Sequence, residues 1–157
     1  MAVDPAGRND APVIRVAGDG DFAGLMALAA EVEDWFGPMV AEPGFHRAVR
    51  THIGRGTALV AGDVSGGLLF DPAGPTYHVD WLVVSKKARG SGIGRALMAD
   101  AVRRFVRGPG SIEVVTFGPD HPGAESRVFY ERLGYVAGPM TEPGPEGGSR
   151  QVFRVDV

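Results

Sequence analysis

The segment RGSGIG, Arg89 to Gly94, holds three glycines, a serine and one cation between the β-branched run YHVDWLVV and the amphipathic segment IGRALMADAVRRFV. Glycines let a strand-to-helix turn aim several backbone N–H groups at one point, where unpaired donors and the helix dipole stabilise an anion. A bound phosphate is the first candidate. The turn is not a Walker loop, which needs GxxxxGK followed by Ser or Thr, and not GxGxxG, because the glycines fall at 90, 92 and 94. The preceding run carries two titratable groups. A two-residue period places His78, Asp80, Leu82 and Val84 on one face and Tyr77, Val79, Trp81 and Val83 on the other. An unpaired carboxylate in a central strand costs on the order of several kcal/mol, so Asp80 implies a partner, such as Arg47 or Arg50, or an opening to water. There is no cysteine, which excludes thiol nucleophiles and cysteine-ligated metals. No His, Asp and Glu spacing resembles a metal site, so no metal is expected.

A chain of 157 residues has the length of one domain, and its formal charge of −3 gives no general attraction to nucleic acid or to anionic lipid. Any anion must be held locally. No stretch approaches the roughly 20 apolar residues of a membrane span, and MAVDPAGRND lacks the basic-then-apolar order of a signal peptide. The simplest expectation is a cytoplasmic protein that binds neither nucleic acid nor membrane. The 24 glycines and 12 prolines fall between apolar periodic segments and read as punctuation.

Residues 1–10 read as a loose arm and residues 11–157 as one domain. PVIRV (Pro12 to Val16) alternates as a first strand; FAGLMALAAEVEDWF reads as one helix ending before Gly37, and FHRAVRTHIGRG as a second, with Phe45, Val49 and Ile53 at successive fourth positions. TALVAG and GGLLFD form an antiparallel hairpin. The strand Tyr77–Val84 follows, then a helix over Ile93–Val106 with Ile93, Leu97, Ala101 and Phe105 on one stripe. SIEVVTF is a strand, AESRVFYERLG a short helix stopped by Gly134, and YVAGPM and RQVFRVDV the last two strands. The order implies an α/β (α+β) fold: a mixed, mostly antiparallel central sheet of about seven strands with helices on both faces.

Strand, R-x-x-G-x-G turn and helix together resemble the acetyl-CoA signature of the GNAT family of N-acetyltransferases, and RVFYERLGY resembles a second motif of that family in the right order. The resemblance runs from PVIRV to RVDV, with its specific residues in VDWLVVSKKARGSGIGRALM and RVFYERLGY. It implies acetyl-CoA as co-substrate, its diphosphate on the amides of Arg89, Gly90, Ser91, Gly92, Ile93 and Gly94, and its pantetheine arm along the backbone of Leu82, Val83 and Val84. It also implies Tyr130 as the acid that protonates the departing thiolate, and a base on the Tyr77–Val84 strand, with the choice between His78 and Asp80 open. A primary ammonium has a pKa near 10.4, about the basicity that makes such a base or a water chain necessary. The sequence departs from the family pattern at Lys86, where proline is frequent, and at Gly123, where asparagine is frequent; the second change removes a side-chain contact to the coenzyme.

The resemblance directs the acceptor to the connection between the first two helices, where Glu33 can attract a cationic amine and Trp35, Phe36 and Met39 can pack its skeleton. The competing reading makes the aromatic pair a cap on the core and the acids a solvated helix end. Direct attack in a ternary complex on the primary amine of a small molecule is the favoured reaction. A protein or peptide amine is the alternative acceptor, and a non-catalytic acyl-CoA-binding sensor the alternative function. The apolar C-terminal strand leaves room for a homodimer.

Overall fold

The computed structural model describes residues 12–157, so the arm expected at 1–10 lies outside the described residues. Seven strands form one open sheet in the order β1-β2-β3-β4-β5-β7-β6. They are β1 Ile14–Val16, β2 Ala58–Ala61, β3 Gly66–Asp71, β4 Thr76–Val84, β5 Ser111–Phe117, β6 Val136–Thr141 and β7 Arg150–Asp156. Among the described residues, five α-helices accompany them: α1 Phe22–Glu31, α2 Glu33–Phe36, α3 Pro43–Arg55, α4 Ile93–Phe105 and α5 Glu125–Arg132. Every neighbouring pair is antiparallel except β4 with β5, which run parallel.

β2 is buried at every position and β3 at all but Asp71, as expected of strands covered on both faces. One core layer joins Leu59, Leu68 and Phe70 to Leu97, Met98 and Ala101 of α4 and to Tyr130 of α5. The other joins Val60 and Leu69 to Leu25 and Leu28 of α1 and Val49 of α3. Helices therefore cover both faces. Phe70 is wholly buried and stacks on Tyr77 and Phe105; withdrawing such a ring from water contributes about 1.5–3 kcal/mol.

Local sequence explains most boundaries. Pro43 opens α3 in the first turn, two residues before the expected start, and Gly56 closes it in the left-handed region at φ 73°, with its N–H on the carbonyls of His52 and Ile53. The first expected helix is two. At Val32 (φ −122°, ψ 12°) the chain turns, and the Val32 carbonyl restarts the ladder by accepting from the N–H groups of Trp35 and Phe36. Tertiary contacts on both sides of Val32 override helix propensity: Glu31 bonds to Ser85 and Lys86, while Glu33 accepts from the N–H groups of Met39 and Val40.

β4 also departs from strict alternation. Phe70 pairs with Val79 and Leu69 with Trp81, so Asp80 and Trp81 together oppose one residue of β3 in a β-bulge. Tyr77 and Val79 pack with α4, whereas Trp81 and Val83 pack with α1 and α3. His78 and Asp80 thus share the α3 face with Trp81, and Leu82 returns to the α4 side. The expected common face of His78, Asp80, Leu82 and Val84 is split by this one extra residue.

Candidate active site

β4 and β5 stay paired only from Thr76↔Ser111 to Val79↔Val114, although β4 runs on to Val84 and β5 to Phe117. Beyond the bulge the strands part. A cleft of about 680 Å³ fills the gap, with Leu82, Val83 and Val84 along one wall and Tyr130, Phe129 and Ser126 of α5 on another. The edge of β4 from Asp80 to Val84 lacks a β5 partner, so its main chain can pair with an extended amide-bearing ligand as a further strand would.

Of the turn Arg89–Gly94, all but Ser91 line this cleft. Gly90 and Gly92 have φ of 81° and 85°, which a side chain rarely adopts. Gly94 serves a different need: a Cβ there would sit 3.0 Å from the Phe129 ring, so glycine lets α4 approach α5. Among the described residues, no backbone carbonyl accepts from the N–H groups of Arg89 through Arg95, and the first bond into the helix runs from Ala96 N–H to Gly92 O. These free donors open α4, a 13-residue helix whose dipole adds to them. Arg89 is braced from two sides, its Nε donating to the Val84 carbonyl at 3.3 Å and its guanidinium lying 5.2 Å from the Trp35 ring centre. Arg95 and Arg132 also line the cleft. The residues present therefore suit a ligand with a diphosphate at one end and amides along its arm.

Tyr130 lines the cleft from the opposite side, 5% exposed and edge-on to Phe129 and Tyr135. Burial, with a smaller contribution from Tyr135, pushes its hydroxyl pKa well above the ordinary phenol value. Asp80 is the first β4 residue past the last pair with β5, at the apex of the gap and on the α3 face. Its partner is neither Arg47 nor Arg50. His52 Nε2 lies 3.0 Å from Asp80 Oδ2, and the Arg50 guanidinium lies over the Phe22 ring. His78 stands within the paired stretch, 3.9 Å from Glu113. Neither Asp80 nor His78 is in the lining of the 680 Å³ cleft itself.

Another part of the cleft is aromatic. Val32, Trp35, Phe36 and Phe117 line it, with Trp35 and Phe36 edge-on to Phe117 at 6.4 and 5.0 Å. His121 stacks on Phe117 with ring centres 4.0 Å apart and planes 6° from parallel. Its Nδ1 accepts from Gly123 N–H, so its ring proton sits on Nε2 and is donated to Glu146 at 2.9 Å. Arg150 binds the same carboxylate and donates to the Trp35 carbonyl. Hydrogen bonds from Arg150 and then His121 hold the Glu146 pKa down to about 2. Together these groups strap the β6–β7 connection onto α2 and Phe117.

Of the residues expected to meet the acceptor, the structure brings Trp35 and Phe36 to the cleft and uses the other two elsewhere. Glu33 is bonded to the Met39 and Val40 amides, at 2.6 and 3.0 Å, and Met39 is buried in the core. Glu31 binds the Lys86 amide at 2.9 Å and Ser85 Oγ at 3.1 Å, fixing the start of the connection to the glycine turn. Gly123 has a packing reason: a Cβ would meet the Phe117 ring at 2.6 Å, so any side chain there would have to displace that ring. Phe117, Glu146 and His52 were not singled out by sequence. The only prior sign of His52 is its place beside the Phe45, Val49 and Ile53 stripe. Among the described residues no group of three or more His, Asp or Glu could hold a metal ion, and no helix is long and apolar enough to cross a membrane.

Residues 54–137 match the model of the acetyltransferase (GNAT) domain. No protein of curated function matches the sequence. Among solved structures, the chain resembles a ribosomal-protein-alanine N-acetyltransferase from Brucella melitensis with a TM-score of 0.71 and 21% identity, over 92% of this chain and 99% of that one. It resembles yncA from Salmonella typhimurium, solved with acetyl-CoA, at 0.70 and 17%, over 92% and 93%. An agmatine N-acetyltransferase gives 0.70 and 16%, over 95% and 100%.

Proposed function

The chain belongs to the GNAT acetyltransferase family, and on that premise we propose that it moves the acetyl group of acetyl-CoA to the primary amine of a small molecule with an apolar skeleton, by direct attack in a ternary complex. The observation that carries the acceptor class is the aromatic part of the cleft. Val32, Trp35, Phe36 and Phe117 offer apolar walls, while Glu31 and Glu33 are already engaged by backbone amides. The strap through Glu146 and Arg150 draws the β6–β7 connection over α2, which favours a bounded pocket over a groove for a chain.

Acetyl-CoA supplies an activated thioester, and the residues divide the remaining work. The free amides of Arg89 to Arg95 hold the diphosphate, with Arg89 adding charge. The unpaired edge of Leu82, Val83 and Val84 holds the pantetheine arm and presents a backbone N–H to the oxygen that gains charge during attack. Asp80, at the apex of the gap but outside the lining of the cleft, takes the proton from the acceptor ammonium through a water chain; its position past the last strand pair favours it over His78, which lies within the paired stretch beside Glu113. Tyr130, protonated at neutral pH as any phenol is, donates its proton to the sulfur as the carbon–sulfur bond breaks. With no cysteine in the chain, no acetyl-cysteine intermediate is available.

The test is release of free coenzyme A from acetyl-CoA with a panel of amines. Phenethylamine and similar arylalkylamines are expected to turn over faster than agmatine and faster than peptides with free N-termini. Faster turnover of a peptide would overturn the small-molecule reading, and acetyl-CoA binding without turnover of any amine would favour a sensor.

A further inference from the structure

His52, on α3, joins two groups of the sheet. Its Nδ1 lies 2.7 Å from Thr57 Oγ1 and its Nε2 lies 3.0 Å from Asp80 Oδ2, while its side chain is only 12% exposed. Thr57 is buried at the entry to β2. An ionised carboxylate only accepts, so the ring proton sits on Nε2 and is donated to Asp80; in the neutral ring Nδ1 then accepts from the Thr57 hydroxyl at 2.7 Å, a closer acceptor than the His52 carbonyl at 3.4 Å. The bulge is what makes the contact: the extra residue in β4 sets Asp80 on the α3 face at the point where β5 departs.

We infer that His52 is a positioning residue for Asp80. The Asp80 side chain is 45% exposed and would otherwise sample several rotamers in solvent. Tying Oδ2 to a nearly buried imidazole, itself fixed by Thr57, selects one rotamer and leaves Oδ1 to accept the proton. In that transfer the ammonium N–H bond breaks, its electron pair stays on nitrogen as the nucleophile, and the proton passes through the water chain to Asp80 Oδ1. His52 itself lies outside the lining of the cleft. The inference rests on Asp80 acting as the base.

The experiment is a double-mutant cycle read as separate kcat and KM values, with acetyl-CoA and phenethylamine or the best amine of the panel. His52→Ala is expected to lower kcat about tenfold with KM for acetyl-CoA within about twofold. His52→Gln, whose amide nitrogen replaces Nε2–H, is expected to recover most of the loss. In an Asp80→Asn background, His52→Ala is expected to cost nothing further. An equal loss in both backgrounds, or no loss in the parent, would overturn the inference. Full activity of Asp80→Asn alone would instead sink the assignment of the base. Should His52→Ala not fold, Thr57→Val reads the same chain: a fall in kcat at unchanged KM supports it, and unchanged kcat contradicts it.

Discussion

Along the cleft, the stretch from Arg89 to Arg95 offers main-chain donors, whereas the stretch from Trp35 to Phe117 offers side chains held by other side chains. The first needs only positive-φ glycines, a helix start and a strand edge with no partner. The second depends on Glu146, His121 and Arg150, drawn from the connections around β5, β6 and β7. The two regions meet at one contact, the Arg89 guanidinium 5.2 Å from the Trp35 ring centre, so replacing Phe36 or Phe117 should leave the turn in place while replacing Trp35 removes one of the two supports of Arg89.

The largest effect should come from adding a β-branched side chain to the turn. Gly92→Val forces valine to φ 85°, and acetyl-CoA affinity measured by calorimetry should fall about a hundredfold or more. Next, Tyr130→Phe keeps the packed ring but removes the proton donor; kcat should fall about 10- to 100-fold with acetyl-CoA affinity within about twofold. Unchanged kcat would remove Tyr130 from the chemistry. Phe117→Ala strips the ring that Trp35, Phe36 and His121 surround, and KM for phenethylamine should rise about five- to tenfold while acetyl-CoA affinity holds. Equal losses for both ligands would show that the two regions are not separable.

The smallest effect is expected at the strap. Glu146 has a folded pKa of about 2, below its ordinary value, so its contribution is present above about pH 4.5 and is lost as pH falls through the folded value. Glu146→Gln should therefore lower Tm by a few degrees at pH 7, roughly the shift of a 1 kcal/mol change, and by less at pH 3. A deficit that is the same at both values would mean that the carboxylate charge does not hold the strap.

The same division decides what the sequence discloses. Glycine spacing, strand and helix patterning around RGSGIG dictate backbone conformation directly, and the turn, α4 and the number of strands follow from such patterns, whereas the order of the strands in the sheet does not. Periodicity fails where one residue is inserted: Asp80 and Trp81 form a bulge, so the faces of β4 change partway along. It fails again at Val32, where long-range bonds from Glu31 and Glu33 end one helix and start another. Glu33 looks like a ligand for a cationic amine in the sequence, yet its partners are the amides of Met39 and Val40, which no local pattern reveals. His121 and Glu146 are 25 residues apart, and their meeting on Phe117 depends on how β5 and β7 pair.

The most direct test of the coenzyme site is the backbone ¹H–¹⁵N spectrum of the protein titrated with acetyl-CoA. The amides of Arg89, Gly90, Ser91, Gly92, Ile93 and Gly94 should show the largest shifts, and Gly92→Val should abolish them. Saturable binding that leaves these amides unmoved would contradict a diphosphate held by the turn.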